Sequence, residues 1–160
     1  MNYFYVDEDA ITAARMLCDQ HVIKMISETG QMLSTAHRVL ETPQADFVYK
    51  ATHTNHPSTK WLRSSQIAYK HGLHHLRGLL LEYQHRFNKP DKFERLRHEV
   101  LPKLMNIPEA LPVMPFVEPP QCVYDECKGP DTVAAYRDYY RMRRNEIDMR
   151  WTNREIPAWL

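Results

Sequence analysis

The sequence predicts an all-α protein, a single helical domain of about four helices that spans residues 1–160. Over long stretches, apolar residues recur at three- and four-residue steps, which is the period of an amphipathic α-helix. Four glycines stand against eleven prolines, a balance that favours helices joined by stiff loops. A chain of 160 residues is long enough to build one domain with its own hydrophobic core.

Composition narrows the class of protein further. The chain is 43% hydrophobic and 26% charged, as expected of a globular protein, and its net charge of +1 gives no overall attraction to nucleic acid, although a local basic patch remains open. No apolar run approaches the roughly 20 residues that span a bilayer, so no membrane partner is expected. Residues 1–5 lack the basic start of a signal peptide, and three cysteines cannot all pair, so a reducing cytoplasm is the expected location.

The first helix is predicted from Asp9 to Leu40, with a bend near Cys18. Asp7, Glu8 and Asp9 supply a cap and negative charge at its start, and residues 2–6 before them form a short aromatic run that favours an extended segment laid against the helices. Gly30 inside the helix costs up to about 1 kcal/mol relative to Ala, which indicates close packing or approach by a ligand.

A second helix is predicted from Pro57 to about Phe87, with Asn55 or His56 near its cap, and a shorter one from Asp91 to Met105. The apolar faces of the first two helices predict a set of buried residues: Val22, Ile26, Leu33, Leu62, Leu73, Leu76, Leu80 and Tyr83.

The last third of the chain combines a proline-rich segment with a basic helix. Residues 107–130 carry too many prolines for a regular element, yet their apolar residues predict an ordered strap across the core. Asp131 can cap a final helix from Thr132 to Trp151. Its arginines, Arg137, Arg141 and Arg144 among them, indicate phosphate contacts or, equally, ion pairs with nearby carboxylates.

One row of polar residues on the first helix carries groups that move protons. His21, Lys24 and Glu28 follow one another at helical spacing on the side away from the apolar face, with Gln31 and Thr35 continuing the row. An imidazole, an ammonium and a carboxylate in one row are candidate catalytic groups. The alternative interpretation is a solvated face with a Lys24–Glu28 ion pair.

A second polar cluster surrounds the start of the second helix. His53, Asn55 and His56 precede Pro57, and Lys60, Trp61 and Arg63 follow just inside the helix. Helix N-termini hold anions, and an indole can stack on a base, so this cluster is a candidate substrate-binding site. The alternative is a capped helix start with surface polar groups.

The sequence gives weaker support for a metal site. His71, His74 and His75 have a chelating spacing but no carboxylate or thiol beside them, and Cys18, Cys122 and Cys127 are better interpreted as free thiols. We therefore expect no metal and no cofactor. Phosphate-binding glycine loops and the motifs of serine hydrolases and zinc proteases are lacking as well.

Two motifs together resemble the pyrimidine dimer DNA glycosylases, the phage endonuclease V family, over about the first 90 residues. Asp19-Gln20-His21 followed by Glu28 looks like the early helix of that family, whose catalytic Glu lies seven residues after the His. His56-Pro57 through Leu80, Glu82 and Phe87 resembles its second long helix. The resemblance implies a compact helical fold, DNA as partner, Glu28 as catalytic residue and, for a phage protein, the host cell cytoplasm.

The second residue departs from this pattern. The glycosylases use the α-amine of a small residue exposed by removal of the initiator Met, whereas Asn2 is bulky enough to keep Met1 in place. An enzyme that keeps the fold and the carboxylate but takes its amine from elsewhere would resemble the phage amino acid:DNA transferases. These enzymes attach an amino acid to an activated thymine-derived base. A free amino acid then joins DNA as an expected partner.

These observations predict an enzyme that modifies a base turned out of the DNA stack. Glu28 is the expected acid/base, His21 its partner and Lys24 its neighbour. The cluster from His53 to Arg63 would hold the DNA backbone or a leaving group. Three alternatives stay open: a pyrimidine dimer glycosylase/lyase, a non-catalytic nucleic-acid-binding helical protein carried by the arginines of the last helix, and a small-molecule enzyme of nucleotide metabolism.

Overall fold

A computed structural model describes residues 1–87, 89 and 92–160, and within these residues the chain forms six α-helices and no β-strand. The all-α prediction is therefore correct for the described part of the chain. The helices are α1 (Ala10–Met16), α2 (Asp19–Val39), α3 (Pro57–Leu62), α4 (Gln66–Arg86), α5 (Leu101–Leu104) and α6 (Thr132–Arg143). Two 3₁₀ turns, Ala45–Phe47 and Asp125–Cys127, and one π turn, Leu96–Val100, complete the regular structure.

Both long helices predicted from the sequence are interrupted. The first breaks at Leu17 and Cys18, where the backbone is extended, close to the predicted bend. The second breaks after Leu62, because Ser65 is extended and its hydroxyl accepts a hydrogen bond from the N–H of Ala68, which starts a new helix. The expectation of about four helices is therefore replaced by the six described above.

The later elements also differ from their predicted bounds. The predicted start of the third helix, Asp91, lies outside the described residues, and the chain beyond it runs through the π turn into α5. The final helix begins as expected, with the Asp131 carboxylate accepting from the N–H of Ala134, but it ends at Arg143 rather than Trp151. Residues 107–124 form no helix or strand; Leu111 is buried, whereas Val113 is largely exposed.

Helix α4 is the centre of the packing, with α1 and α2 against it. Gly78 allows α1 to approach closely, since a Cβ built there would lie 3.0 Å from Cβ of Ala14 and 3.2 Å from Cα of Ile11. All the buried residues predicted from the sequence are at most 7% exposed, so that prediction is confirmed: Val22, Ile26, Leu33, Leu62, Leu73, Leu76, Leu80 and Tyr83. No helix within residues 1–87, 89 and 92–160 is long and apolar enough to cross a bilayer.

The N-terminal segment, residues 2–6, forms no helix or strand and is almost fully buried against the helices, on which it was predicted to lie. On one side the ring of Tyr3 lies 4.9 Å from that of Trp61, between centroids. On the other side Phe4 stacks on His21 at 4.3 Å and meets Tyr140 edge to face at 5.6 Å. The segment thus passes through the core, and Met1 lies against α2, near Glu28.

A buried ion network anchors the N-terminal end of α2. The fully buried Arg86 donates to Glu82 and to Asp19, each at 3.0 Å, and Arg154 donates twice to the same Glu82 carboxylate. Glu82 is one of the residues that carries the family resemblance, and here its carboxylate pairs with two guanidinium groups inside the protein. The network joins α2, α4 and the C-terminal segment.

Candidate functional site

The carboxylate of Glu28 meets a primary amine, a backbone N–H and an ammonium. Its Oε2 accepts a hydrogen bond from the N–H of Asn2 at 3.0 Å. Its Oε1 lies 3.7 Å from the amine of Met1 and 3.8 Å from Nζ of Lys24. The Glu28 side chain is 16% exposed, so these contacts are only partly screened by water. The carboxylate is therefore placed to exchange a proton with an amine.

His56 belongs to the same group of charges. Its Nδ1 accepts a hydrogen bond from the N–H of Ser58 at 3.2 Å, so the proton of the neutral ring lies on Nε2. Burial lowers the pKa of His56, and the Met1 amine and His53 lower it further, while Glu28 acts in the opposite direction. The loop before α3 and the polar row of α2 are thus within electrostatic range of each other.

The loop that carries His56 is fixed to α2. The N–H of Thr52 donates to the hydroxyl of Thr35 at 3.2 Å, and Arg63 donates to the carbonyl of Thr54 at 2.8 Å. His53 has a φ of 48°, a left-handed conformation that is costly for a residue with a side chain. Such strain persists only where the surroundings enforce it, so the loop is held in one shape.

The anion site expected at the start of α3 is weaker than the sequence suggested. The helix has six residues, Pro57 has no N–H, and the N–H of Ser58 is taken by the ring of His56. Any anion held here would depend on side chains, and His53, Asn55 and Lys60 are exposed at this loop.

His21 does not lie on an open polar face. It is 7% exposed, stacks on Phe4, and its Nδ1 lies 2.6 Å from the hydroxyl of Tyr140. Burial lowers its pKa to about 4, with Lys24 and Arg143 adding to the effect, so the ring is neutral at pH 7. The expectation that this face stays unburied is wrong at His21, because the N-terminal segment covers it.

The side chains of Trp61 and Arg63 bind within the protein rather than face a ligand. Trp61 is 7% exposed, packs on Tyr3, and donates its indole N–H to the carbonyl of Val117 at 2.7 Å. A base could stack on this ring only after the core opened, so the stacking role expected from the sequence is wrong for this conformation. Arg63 fixes Thr54, as described above.

The three arginines expected to contact nucleic acid all bind within the protein. Arg137 donates to the carbonyl of Val6 at 2.9 Å, Arg141 to the carbonyl of Trp159 at 2.9 Å, and Arg144 to that of Leu160 at 3.5 Å. Arg141 also pairs with Asp138. Arg141 and Arg144 remain exposed, so they retain surface that faces solvent.

His71 and His75 of α4 bind to the N-terminal part of the chain. Nδ1 of His71 lies 2.7 Å from the hydroxyl of Tyr3 and its Nε2 lies 3.0 Å from the carbonyl of Glu8, while His75 is buried with Nδ1 at the carbonyl of Ala10. Within residues 1–87, 89 and 92–160, no three His, Cys, Asp or Glu side chains come together as a metal site. Cys18, Cys122 and Cys127 are free thiols.

Sequence reasoning missed the part played by Asn2. Its side-chain amide donates to the carbonyl of Cys122 at 3.0 Å, and its oxygen accepts from the N–H of Tyr3 and the hydroxyl of Tyr136. These bonds fix the backbone that contacts Glu28. The signal that could have found it is a lone amide in an otherwise aromatic, buried segment.

Comparison of the chain with protein-family models, with curated proteins and with solved structures finds no match.

Proposed function

We propose that the protein is a DNA-modifying enzyme that joins the amine of a free amino acid to an activated thymine-derived base, with Glu28 as the general base. The observation that carries the proposal is the contact between a primary amine, that of Met1, and the weakly exposed Glu28 carboxylate, within electrostatic range of His56. A carboxylate that holds an ammonium group is in position to take its proton and release a nucleophile.

The reaction is a substitution at the methylene carbon attached to the base ring. The incoming ammonium gives a proton to Glu28, its lone pair forms the new carbon–nitrogen bond, and the bond from carbon to the leaving oxygen breaks. The leaving group departs as an anion with that electron pair. The Nε2–H of His56 and the exposed Lys60 are suited to stabilise it.

Access to such a base requires that it leave the DNA stack. Three exposed lysines lie on α2 near Glu28 and around the loop that carries His56: Lys24, Lys50 and Lys60. Their charges are suited to bind the phosphates on either side of an extruded base. His21 acts as a positioning residue in this scheme, since its neutral ring supports the segment that meets Glu28.

The same contact favours a second candidate, a pyrimidine dimer glycosylase/lyase in which the chain supplies the amine. The Met1 amine lies at Oε1 of Glu28, and the Asn2 nitrogen, which would become the amine if Met1 were removed, lies at Oε2. This candidate agrees with the resemblance of Asp19–Glu28 to the endonuclease V family. It requires a mature chain that starts at Met1 or Asn2.

The test compares wild type with Glu28→Gln on duplex DNA that carries a thymine with a leaving group on its methylene carbon, in the presence of free amino acids. Mass spectrometry of the digested nucleosides detects the new carbon–nitrogen bond. We expect Glu28→Gln to reduce turnover by roughly 10²-fold while duplex affinity stays within a few-fold, since the carboxylate charge is lost and size is kept. The exposed Glu109→Gln is the matched control and should keep full turnover.

Two further measurements separate the candidates. Borohydride trapping of a protein–DNA adduct on dimer-containing DNA, together with the intact mass of the purified chain, would support the glycosylase/lyase. Salt-dependent duplex binding without any product in either assay would contradict both enzymes and leave a non-catalytic binding protein. Undiminished turnover by Glu28→Gln would remove Glu28 from the chemistry.

A further inference from the structure

A small pocket lies beside Glu28, on the side of α2 that faces the turn before α5. It has a volume of about 210 Å³ and is lined by Ser27, Gln31, Tyr49, Phe93 and Leu96. Ser27 directly precedes Glu28, and Gln31 follows it by three residues, so both project from the helical turn that carries the carboxylate. The pocket and the Glu28 group are therefore neighbours on one helix.

Gly30 explains why this pocket can form. A Cβ built on Gly30 would lie 3.3 Å from Cδ1 of Leu96 and 3.6 Å from Cε2 of Tyr49. A Cβ at this position would press on Leu96 and would make an ordinary van der Waals contact with Tyr49. The glycine that weakens α2 thus lets two walls of the pocket approach the helix backbone.

The pocket is lined by apolar side chains and by two polar side chains that form no hydrogen bond with the described residues. Leu96 is fully buried beneath the pocket, and the ring of Tyr49 forms one side. Within residues 1–87, 89 and 92–160, the Gln31 amide and the Ser27 hydroxyl have no hydrogen-bond partner, although Gln31 is only partly exposed. A primary amide both donates and accepts, which matches the alternating groups on the edge of a pyrimidine.

The volume of the pocket is suited to a base with a single ring. A cavity of about 150 Å³ is known to hold benzene, and drug-sized ligands occupy sites of about 300 Å³ or more. A space of about 210 Å³ therefore fits one six-membered ring with a small substituent and is tight for a fused purine.

Charge also favours this pocket over a larger one that Glu8 and Glu118 line. Lys24 and Lys50 are exposed near it, and the guanidinium of Arg95 lies 5.7 Å from the centre of the Tyr49 ring, although Arg95 also pairs with Glu99. That pocket, about 560 Å³, has two carboxylates, Glu8 and Glu118, in its lining against one lysine, Lys70. Those carboxylates would repel a phosphodiester chain.

We propose that the pocket between Gln31 and Leu96 holds the extruded pyrimidine base, with the Gln31 amide and Ser27 hydroxyl bonded to its polar edge. This inference rests on the proposed function and names the place where that enzyme reads its base. The base lies against Leu96 and Tyr49, and its substituent points along α2 toward Glu28.

The experiment uses free nucleosides and the whole protein, so that binding is measured without turnover. In a nuclear magnetic resonance titration, thymidine should shift the side-chain amide signals of Gln31 and the methyl signals of Leu96, whereas deoxyadenosine should not. Gln31→Leu keeps the size of the side chain and should weaken thymidine binding about fivefold, the loss of roughly one hydrogen bond. Gln84→Leu, the same change at an exposed position of α4, should leave it unaltered.

A second variant addresses the space directly. Ser27 is exposed, so Ser27→Phe can close the pocket without disturbing the core, and it should abolish the Leu96 methyl shifts. Equal shifts with deoxyadenosine, or thymidine shifts that survive Ser27→Phe, would overturn the proposal. The outcomes are distinct from those for the proposed function: thymidine binding with a fully active Glu28→Gln would contradict only the chemistry, and an inactive Glu28→Gln without thymidine binding would contradict only the pocket.

Discussion

The N–H of Asn2 donates a hydrogen bond to Oε2 of Glu28 at 3.0 Å, between residues 26 positions apart in the sequence. This bond closes the N-terminal segment onto α2 beside the pocket described above. The carboxylate therefore has two functions that experiments must separate: it accepts a structural hydrogen bond, and it is available to an amine.

Variants of Glu28 should separate these functions through stability. Glu28→Gln keeps an acceptor oxygen for the Asn2 N–H, so we expect its free energy of unfolding to stay within about 0.5 kcal/mol of wild type. Glu28→Leu leaves that N–H without a partner and should cost about 1–3 kcal/mol. Urea unfolding measures both. Equal losses for the two variants would show that the bond does not hold the segment.

Truncation in the core should be costly at Leu80. Leu80 is 1% exposed in the centre of α4, so Leu80→Ala should lower the free energy of unfolding by about 2–5 kcal/mol through lost burial and a residual cavity. The exposed Leu81→Ala next to it is the matched control and should change little. Chemical denaturation with both variants checks this, and a loss within ±0.5 kcal/mol at Leu80 would contradict the packing.

The buried ion pair in α4 should matter far more than an exposed pair with the same spacing. Burial alone would raise the pKa of Glu82, but hydrogen bonds from Arg154 and Arg86 lower it overall, so the carboxylate stays ionised. Glu82→Gln removes the charge that both guanidinium groups face and should cost about 3–5 kcal/mol. Glu99→Gln breaks the exposed Arg95–Glu99 pair and should cost at most about 1 kcal/mol. Comparable losses in thermal or urea unfolding would refute this ranking.

Acid should destabilise the protein between pH 6.5 and about 4. Burial lowers the pKa of His21, His37 and His75 from 6.5 to about 4, so all three are neutral in the folded state over this range. The unfolded chain binds protons there and the folded chain does not, so stability is complete above pH 6.5 and falls as the pH decreases toward 4. Each histidine can contribute up to about 3 kcal/mol. Urea unfolding at pH 7 and 4.5 measures the loss; unchanged stability would contradict the neutral, buried rings.

The two exposed arginines at the C-terminal end of α6 provide a test of the proposed contact with DNA. If this helix contacts phosphates, Arg141→Ala and Arg144→Ala should each weaken duplex binding to a similar extent for all sequences and reduce the salt slope by about one unit. Fluorescence anisotropy at several salt concentrations measures this. An unchanged slope would assign both arginines to the carbonyls of Trp159 and Leu160 that they already bind.

Local signals predicted much of this fold. The spacing of Val22, Ile26 and Leu33 identified α2 and its buried face because helical periodicity is a property of neighbouring residues. The break before α4 carries such a signal as well, since Ser65 is a typical N-cap, but the continuous apolar stripe from Leu62 onward obscured it.

Features that depend on distant partners could not be predicted in the same way. His21 looks like part of a polar surface until Phe4 and Tyr140, from both ends of the chain, cover it. The arginines of α6 look free until the carbonyls of the last residues reach them. The pairing of Glu28 with Asn2 requires the path of the N-terminal segment, and no sequence period encodes that path.

The threaded N-terminal segment has a consequence for how the chain acquires its structure. Asn2 accepts a hydrogen bond from the hydroxyl of Tyr136, 134 residues further on, so the N-terminal segment cannot complete its contacts until α6 has been synthesised. Long-range closure of this kind slows folding. Until then the ring of Phe4 lacks its contacts with Tyr136 and Tyr140, and the Asn2 backbone that meets Glu28 lacks its anchor on α6.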